Sequence, residues 1–127
     1  MNFDISEAEK ACEKGNYKEA LKIYEKLSLD ENPEAFNGLG HLYENGLGVI
    51  QNKKYALSLY KKGKDILLKK IKKNDLKASY KLGDWYYRGV GLEANKKKGL
   101  NLIKKAADKG ELNSIFFLYQ FYSNEIF

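Results

Sequence analysis

The sequence predicts an all-α solenoid of about three helix–turn–helix repeats followed by one further helix. The first observation is an internal repeat: residues 35–65 and 78–108 align without a gap at an offset of 43, and 14 of the 31 positions are identical. The second is that apolar residues recur three and four positions apart on both sides of a glycine pair, which is typical of two helices joined by a turn. Such units bury their apolar faces against their neighbours, as in a solenoid.

In the first copy, one helix is predicted to begin at Pro33 and to end at Gly46. Proline fits a first helical turn, and glycine adopts the left-handed conformation of a helix end without steric cost. Asn52 is a suitable N-cap for the second helix. The residues expected to be buried are Ala35, Leu39, Leu42 and Tyr43 in the first helix, then Ala56, Leu59, Tyr60, Gly63, Leu67 and Ile71 in the second.

Two features of the repeat concern helix length and packing. Corresponding first helices are 43 residues apart in the middle of the chain but 36 apart at the last step, and the extra seven residues lie near 66–73. Seven residues are two helical turns, so this second helix is predicted to be longer than the others. Gly40 and Gly83 fall inside predicted helices in both copies, which favours a close crossing of two helices there.

Fainter copies of the unit stand at both ends of the chain. Residues 15–24 match the turn and second helix, and residues 4–14 supply a first helix. Residues 114–122 begin another unit that has one helix. The sequence therefore predicts one domain, 1–127, with units of about 3–32, 33–75 and 76–110 and a partial unit at 111–127.

Composition restricts the classes of function. The net charge is +6, which favours a partner with an acidic surface and leaves nucleic acid as a weaker alternative, because the lysines mostly fall on the solvated helix faces. A single cysteine excludes an internal disulfide framework. The first residues resemble no secretory signal, and no apolar run is long enough to span a membrane. A cytoplasmic protein is predicted.

No catalytic, cofactor or metal site is predicted. The Gly-x-Gly segments at 46–48 and 89–91 follow a helix rather than a strand, so they are turns and not phosphate loops. His41 and Glu44 share a helical face, but a metal site needs further ligands. Cys12 has no partner base in the sequence and is expected to act as a small apolar residue.

The last predicted helix is aromatic on almost every side. Phe117, Phe121 and Phe127 are the residues expected at an interface there, with either a second copy or a client protein. The alternative is that bulky aromatics fill the space left by a missing partner helix, in which case the helix is a cap. The sequence does not choose between these two interpretations.

The motif Leu-Gly-x-x-Tyr-x-x-Gly-x-Gly, found at 39–48 and 82–91, with Asn52 or Asn95 after it, resembles the Sel-one-like repeat, a relative of the tetratricopeptide repeat. The sequence departs from that family's pattern in Gly99, where the family prefers alanine, in the seven-residue insertion, and in the absence of the paired cysteines found in some secreted members. The resemblance implies a right-handed superhelix whose first helices line a concave groove. The positions that would face this groove are Asn37, His41, Glu44, Asn45, Tyr80, Asp84, Tyr87, Arg88, Phe116 and Gln120.

The resemblance also implies a function. Such repeats act as adaptors, so we expect a small non-catalytic module that binds a protein or peptide through its groove or its aromatic end. One alternative is the immunity protein of a bacterial toxin–immunity pair, which would sequester one cognate toxin. A second alternative is a basic solenoid that binds nucleic acid, for which affinity should fall steeply with salt.

Overall fold

A computed structural model gives the fold and describes residues 3–126. Within that range every regular element is an α-helix, and the all-α class predicted from the sequence is confirmed. The seven helices are α1 (Ile5–Glu13), α2 (Tyr17–Leu29), α3 (Pro33–Asn45), α4 (Lys53–Lys72), α5 (Leu76–Arg88), α6 (Lys96–Asp108) and α7 (Leu112–Ile126).

The predicted ends of α3 and α4 are confirmed. Pro33 occupies the first turn of α3, and Gly46 ends the helix in the left-handed conformation at φ 65°. Asn52 caps α4, since its side chain accepts a hydrogen bond of 2.9 Å from the backbone N–H of Tyr55. Gly89 ends α5 in the same conformation as Gly46, at φ 73°.

The seven-residue insertion lengthens α4, as predicted. This helix has 20 residues, whereas α2, α3, α5 and α6 have 13 each. The insertion therefore extends an existing helix by two turns and adds no loop. The expected buried positions of α4 lie inside except Ile71, which is half-buried, and Leu59 and Leu67 are almost completely covered.

The chain divides into two compact units, one up to Ile66 and one from Leu67 on. In the first unit α1 packs on α2, α2 on α3, and α3 on the beginning of α4. The core of this unit consists of Ala8, Ala11, Ala20, Ile23, Tyr24, Ala35, Leu39, Leu42 and Leu59. Gly40 lies against the ring of Tyr60, where a Cβ atom would overlap the ring, so this glycine makes room for an aromatic side chain of α4 rather than for its backbone.

In the second unit, α6 packs between α5 and α7, and α5 and α7 also touch. Leu67, Ala78, Leu82, Trp85 and Tyr86 form its core. The crossing of α5 and α6 is made by two glycines: a Cβ atom on Gly99 would lie 2.5 Å from the Gly83 carbonyl oxygen and 2.7 Å from the backbone nitrogen of Tyr87. The departure from the family pattern at Gly99 thus has a structural reason.

A buried glutamate caps α7. Glu111 is only 7% exposed, and its carboxylate accepts hydrogen bonds from the backbone N–H and hydroxyl of Ser114 and from the backbone N–H of Asn113. Burial raises the pKa of this carboxyl, but these hydrogen bonds outweigh it and hold the pKa below the usual 4.5. The charge is stabilised at the positive end of the helix.

Among the helices described, none has both the length and the apolar content needed to cross a bilayer.

Candidate binding surfaces

Four of the predicted groove residues lie on one face of α3. Asn37, His41, Glu44 and Asn45 are spaced as successive turns of a helix require. The Asn45 side-chain amide donates to the His41 carbonyl oxygen at 3.0 Å and lies 3.1 Å from His41 Nδ1. His41 and Asn45 are exposed, so this face presents an ordered pair of polar side chains to solvent.

Glu44 has a structural contact in addition to its place on this face. The Tyr60 hydroxyl donates a hydrogen bond of 3.0 Å to its carboxylate. Burial raises the pKa of Tyr60, and the negative Glu44 raises it further, so the hydroxyl stays protonated and acts as the donor. The bond joins α3 to α4 and holds the half-buried carboxylate in place.

In α5 three predicted groove residues form a second polar face. Arg88 Nε and Nη2 donate to the two carboxylate oxygens of Asp84 at 2.9 and 2.5 Å, a paired geometry that fixes the guanidinium. The hydrogen bonds to Asp84 raise the pKa of Arg88. Tyr80 is half-buried beside this pair, and burial raises the pKa of its hydroxyl.

Tyr87 joins the two surfaces that the sequence treated as alternatives. Its ring makes edge contacts with Phe117 at 5.2 Å and Phe121 at 6.2 Å between centroids, while Phe117 and Phe121 stack on one another. The predicted groove on α5 and the predicted aromatic interface on α7 therefore meet within the second unit. We call this set Tyr87, Phe117 and Phe121 the aromatic cluster.

An open recess of about 380 Å³ lies at the aromatic cluster. Gln120 and Asn124 of α7 complete its lining beside the three rings. The recess thus combines apolar ring surface with two carboxamides, which each offer both a donor and an acceptor. Gln120 was among the predicted groove residues, whereas Asn124 was missed, although it follows Gln120 by one helical turn.

The outer face of α7 was missed as a continuous surface. Apart from Phe116, none of its residues was predicted as a site. Its exposed apolar residues recur at helical spacing, but α7 is apolar on nearly all sides, so the spacing alone did not distinguish this face. We call them the α7 stripe: Leu112, Ile115, Phe116, Tyr119 and Tyr122, which are 78%, 45%, 60%, 70% and 45% exposed. The last predicted interface residue, Phe127, lies outside the described residues.

Several lysines predicted to be solvated make ring contacts. Lys98 Nζ lies 4.7 Å from the centre of the Tyr86 ring, and Lys96 Nζ lies 5.5 Å from that of Tyr87. These cation–π contacts cover part of the aromatic surface of α5. Within residues 3–126, no three His, Cys, Asp or Glu side chains come together in a way that would hold a metal ion.

The helices come in pairs, glycines end α3 and α5, and small residues form the crossing of α5 and α6. These features define a helical-repeat scaffold, a class of protein whose members mostly bind other molecules. The family model of the Sel1 repeat matches residues 8–29, 33–65 and 76–111, and the chain belongs to this family. The match confirms the resemblance found in the sequence and the all-α solenoid class that it implies. Sel1 repeats generally mediate protein–protein interactions.

None of the curated proteins compared matches the chain. Among solved structures, it is similar to a Sel1 repeat protein from Oxalobacter formigenes, with 25% sequence identity and a TM-score of 0.44 over 87% of this chain and 43% of that one. The chain therefore spans less than half the length of this relative.

Proposed function

We propose that this chain is a non-catalytic, cytoplasmic protein-interaction module that binds a peptide segment of a partner protein at the recess between α5 and α7. The observation that carries the proposal is the aromatic cluster with two carboxamides beside it. The family supports the general function, because Sel1 repeats mediate protein–protein interactions. On this chain, the residues that line the recess have the chemistry that suits such binding.

The aromatic cluster suits a bulky apolar side chain of the partner. Aromatic rings supply a large contact area with few rotatable bonds, so little conformational entropy is lost when they are covered. Tyr87 is held by edge contacts with Phe117 and Phe121 and by the Lys96 ammonium above its ring. The rings are therefore already ordered before a partner arrives, which lowers the cost of binding.

Gln120 and Asn124 suit the backbone of the same segment. A carboxamide can donate to a peptide carbonyl and accept from a peptide N–H, so it recognises backbone without selecting a side chain. The net charge of +6 favours a partner segment with acidic residues through long-range attraction. The proposed ligand is therefore a peptide with one bulky apolar anchor and flanking acidic residues.

The experiment is selection from a random peptide library on the immobilised protein, followed by affinity measurement with labelled peptides. We expect enriched peptides to carry an aromatic or large aliphatic residue. The double variant Gln120→Ala, Asn124→Ala should bind them about tenfold more weakly, since each lost hydrogen bond is worth about 0.5–1.5 kcal/mol. Asn101→Ala, on the exposed side of α6, is the matched control and should bind as the wild type does.

Two results would contradict the proposal. One is the absence of any enriched peptide, and the other is equal affinity of the wild type and the double variant. A single-stranded oligonucleotide that binds tightly, with affinity falling steeply as salt rises, would favour the nucleic-acid alternative instead. Capture of one very tight partner would favour a dedicated role, such as sequestering a toxin, over an adaptor with several clients.

A further inference from the structure

The α7 stripe is a neutral surface on a strongly charged protein. Its five side chains are among the most exposed large apolar residues of the molecule, and α7 carries no charged residue from Leu112 to Asn124. The chain as a whole contains 40 Lys, Arg, Asp and Glu residues among 127, counted as 23 basic and 17 acidic. Depletion of charge together with enrichment of aromatics is the composition of an interface core.

In each of the two full repeats, one face of the first helix (α3 or α5) packs against the second helix (α4 or α6). Part of the α7 stripe lies on the equivalent face of α7. In α3, Phe36, Gly40 and Tyr43 occupy this face. They meet Lys62, Tyr60 and Tyr55 of α4, respectively.

The repeat offset places Ser79, Gly83 and Tyr86 of α5 at the same positions. Gly83 contacts α6 at Gly99, and Tyr86 lies under Lys98 of α6.

A further 36 residues along the chain, these positions fall on Ile115, Tyr119 and Tyr122. Among residues 3–126, no helix covers this face of α7, and Tyr119 is 70% exposed. The register therefore indicates that Ile115, Tyr119 and Tyr122 of the stripe have the position and spacing of a helix-packing face.

Tyr119 changes which kind of helix fits there. It stands where α3 and α5 have Gly40 and Gly83, which leave room for the Tyr60 ring and for the backbone of α6, so a second helix of the ordinary repeat would collide with the Tyr119 ring. Two aromatic faces packed on each other need a wider separation, near the upper end of the usual 8–10 Å between helix axes. A face of the same kind meets this requirement, and the α7 stripe of a second copy is one.

We propose that a second copy of this chain covers the stripe, forming a symmetric dimer in which two α7 helices pack antiparallel around Tyr119. The exposed parts of the five side chains amount to about 600 Å² on each copy, taking 150–250 Å² for a whole aromatic side chain, so the pair would cover about 1,200 Å². If all of this surface is covered, the area is above the roughly 1,000 Å² expected of a biological interface and reaches the lower end of the about 1,200–2,000 Å² of stable ones.

Charge also favours a second copy over a different partner. In a symmetric interface each face meets the same face of the other copy, so a charge near the twofold axis would lie close to its own like-charged counterpart. The stripe avoids this because it has none, and two molecules of net charge +6 can therefore meet there without repulsion inside the interface. A partner chosen by charge complementarity would find nothing to complement on this face.

The test is the mass in solution, measured by light scattering on a sizing column over a range of protein concentrations. The wild type is expected to run as a dimer at the higher concentrations. Tyr119→Glu places an unpaired charge at the centre of the interface and should raise the dimer dissociation constant at least about 100-fold. Leu57→Glu is the matched control, since Leu57 is 65% exposed on α4 and should leave the dimer intact.

A covalent test locates the contact. Under mild oxidation Tyr119→Cys is expected to form a disulfide-linked dimer on a non-reducing gel, whereas Leu57→Cys, which has the same Cys12, is not. A monomeric wild type at every concentration, or a Tyr119→Glu variant that remains dimeric, would overturn the proposal. Peptide binding at the recess should survive in Tyr119→Glu, so failure of the dimer and failure of the proposed function are distinguishable.

Discussion

Replacing Gly99 by alanine is expected to destabilise the protein, although alanine is the better helix former. In an exposed helix the same change would stabilise by about 1 kcal/mol. At Gly99 the new Cβ atom would lie 2.5 Å from the Gly83 carbonyl oxygen and 2.7 Å from the backbone nitrogen of Tyr87. Both are backbone atoms, so no side chain can rotate away to relieve the overlap.

The size of the effect follows from these distances. To bring the closest contact from 2.5 Å to the 3.4 Å of ordinary packing, α6 must move away from α5 by about 0.9 Å. A gap of that size costs the surrounding contacts a quarter to a half of their attraction, and overpacking of this kind costs about 1–3 kcal/mol or slightly more. With the helix-propensity gain subtracted, we expect a net loss of about 1 kcal/mol and at most about 2 kcal/mol, which is about 4–8 °C in Tm.

The assay is thermal and chemical unfolding followed by circular dichroism. Two controls separate packing from propensity. Asn101→Ala, exposed on the same helix, should be neutral or slightly stabilising. Ala56→Gly makes the reverse change at the equivalent buried position of the first copy and should cost about 1 kcal/mol or more. A Gly99→Ala variant as stable as the wild type, or more stable, would refute the reasoning from backbone contact.

Two further changes test single hydrogen-bonded groups. Glu111→Gln is expected to lower the free energy of unfolding by about 1–2 kcal/mol at neutral pH, because a buried charged cap of α7 is lost. The folded pKa of Glu111 is below 4.5, so the stabilisation by its carboxylate is complete above pH 4.5 and is lost as the pH falls through the folded pKa. The difference in the free energy of unfolding between the wild type and Glu111→Gln should therefore be smaller at pH 3 than at pH 7. Tyr60→Phe removes the donor to Glu44 and should cost about 0.5–1.5 kcal/mol in urea unfolding. Tyr55→Phe, whose side chain is 44% exposed, is the control and should cost nothing; equal losses would show that the Tyr60 hydroxyl has no special role.

The elements were predictable because the chain repeats itself. The two copies of the repeat showed which glycines end helices and which lie at helix crossings. The different spacings between corresponding first helices showed where α4 is lengthened. Such inferences need only local sequence, because a helix end or a glycine contact depends on backbone geometry. The pairing of Gly99 with Gly83 was not predicted, since it depends on the distance between α5 and α6, which no single segment encodes.

The binding surfaces were harder to predict because α7 is apolar on nearly all sides. Periodicity locates an apolar face only when a polar face stands opposite it. In α7 it could not show that Phe117 and Phe121 turn toward Tyr87 while Tyr119 and Tyr122 remain outside. That choice is made by packing against α5 and α6. The placement of these residues follows from tertiary contacts, and their role in binding stays a prediction.

The glycine crossing of α5 and α6 has a consequence for engineering. Because backbone atoms set the distance between α5 and α6, this distance does not depend on the side chains along the other face of α5. Asp84 and Arg88 can then be randomised together in a library, and most members should keep the scaffold. Selections from such a library would sample new binding specificities at little risk to folding.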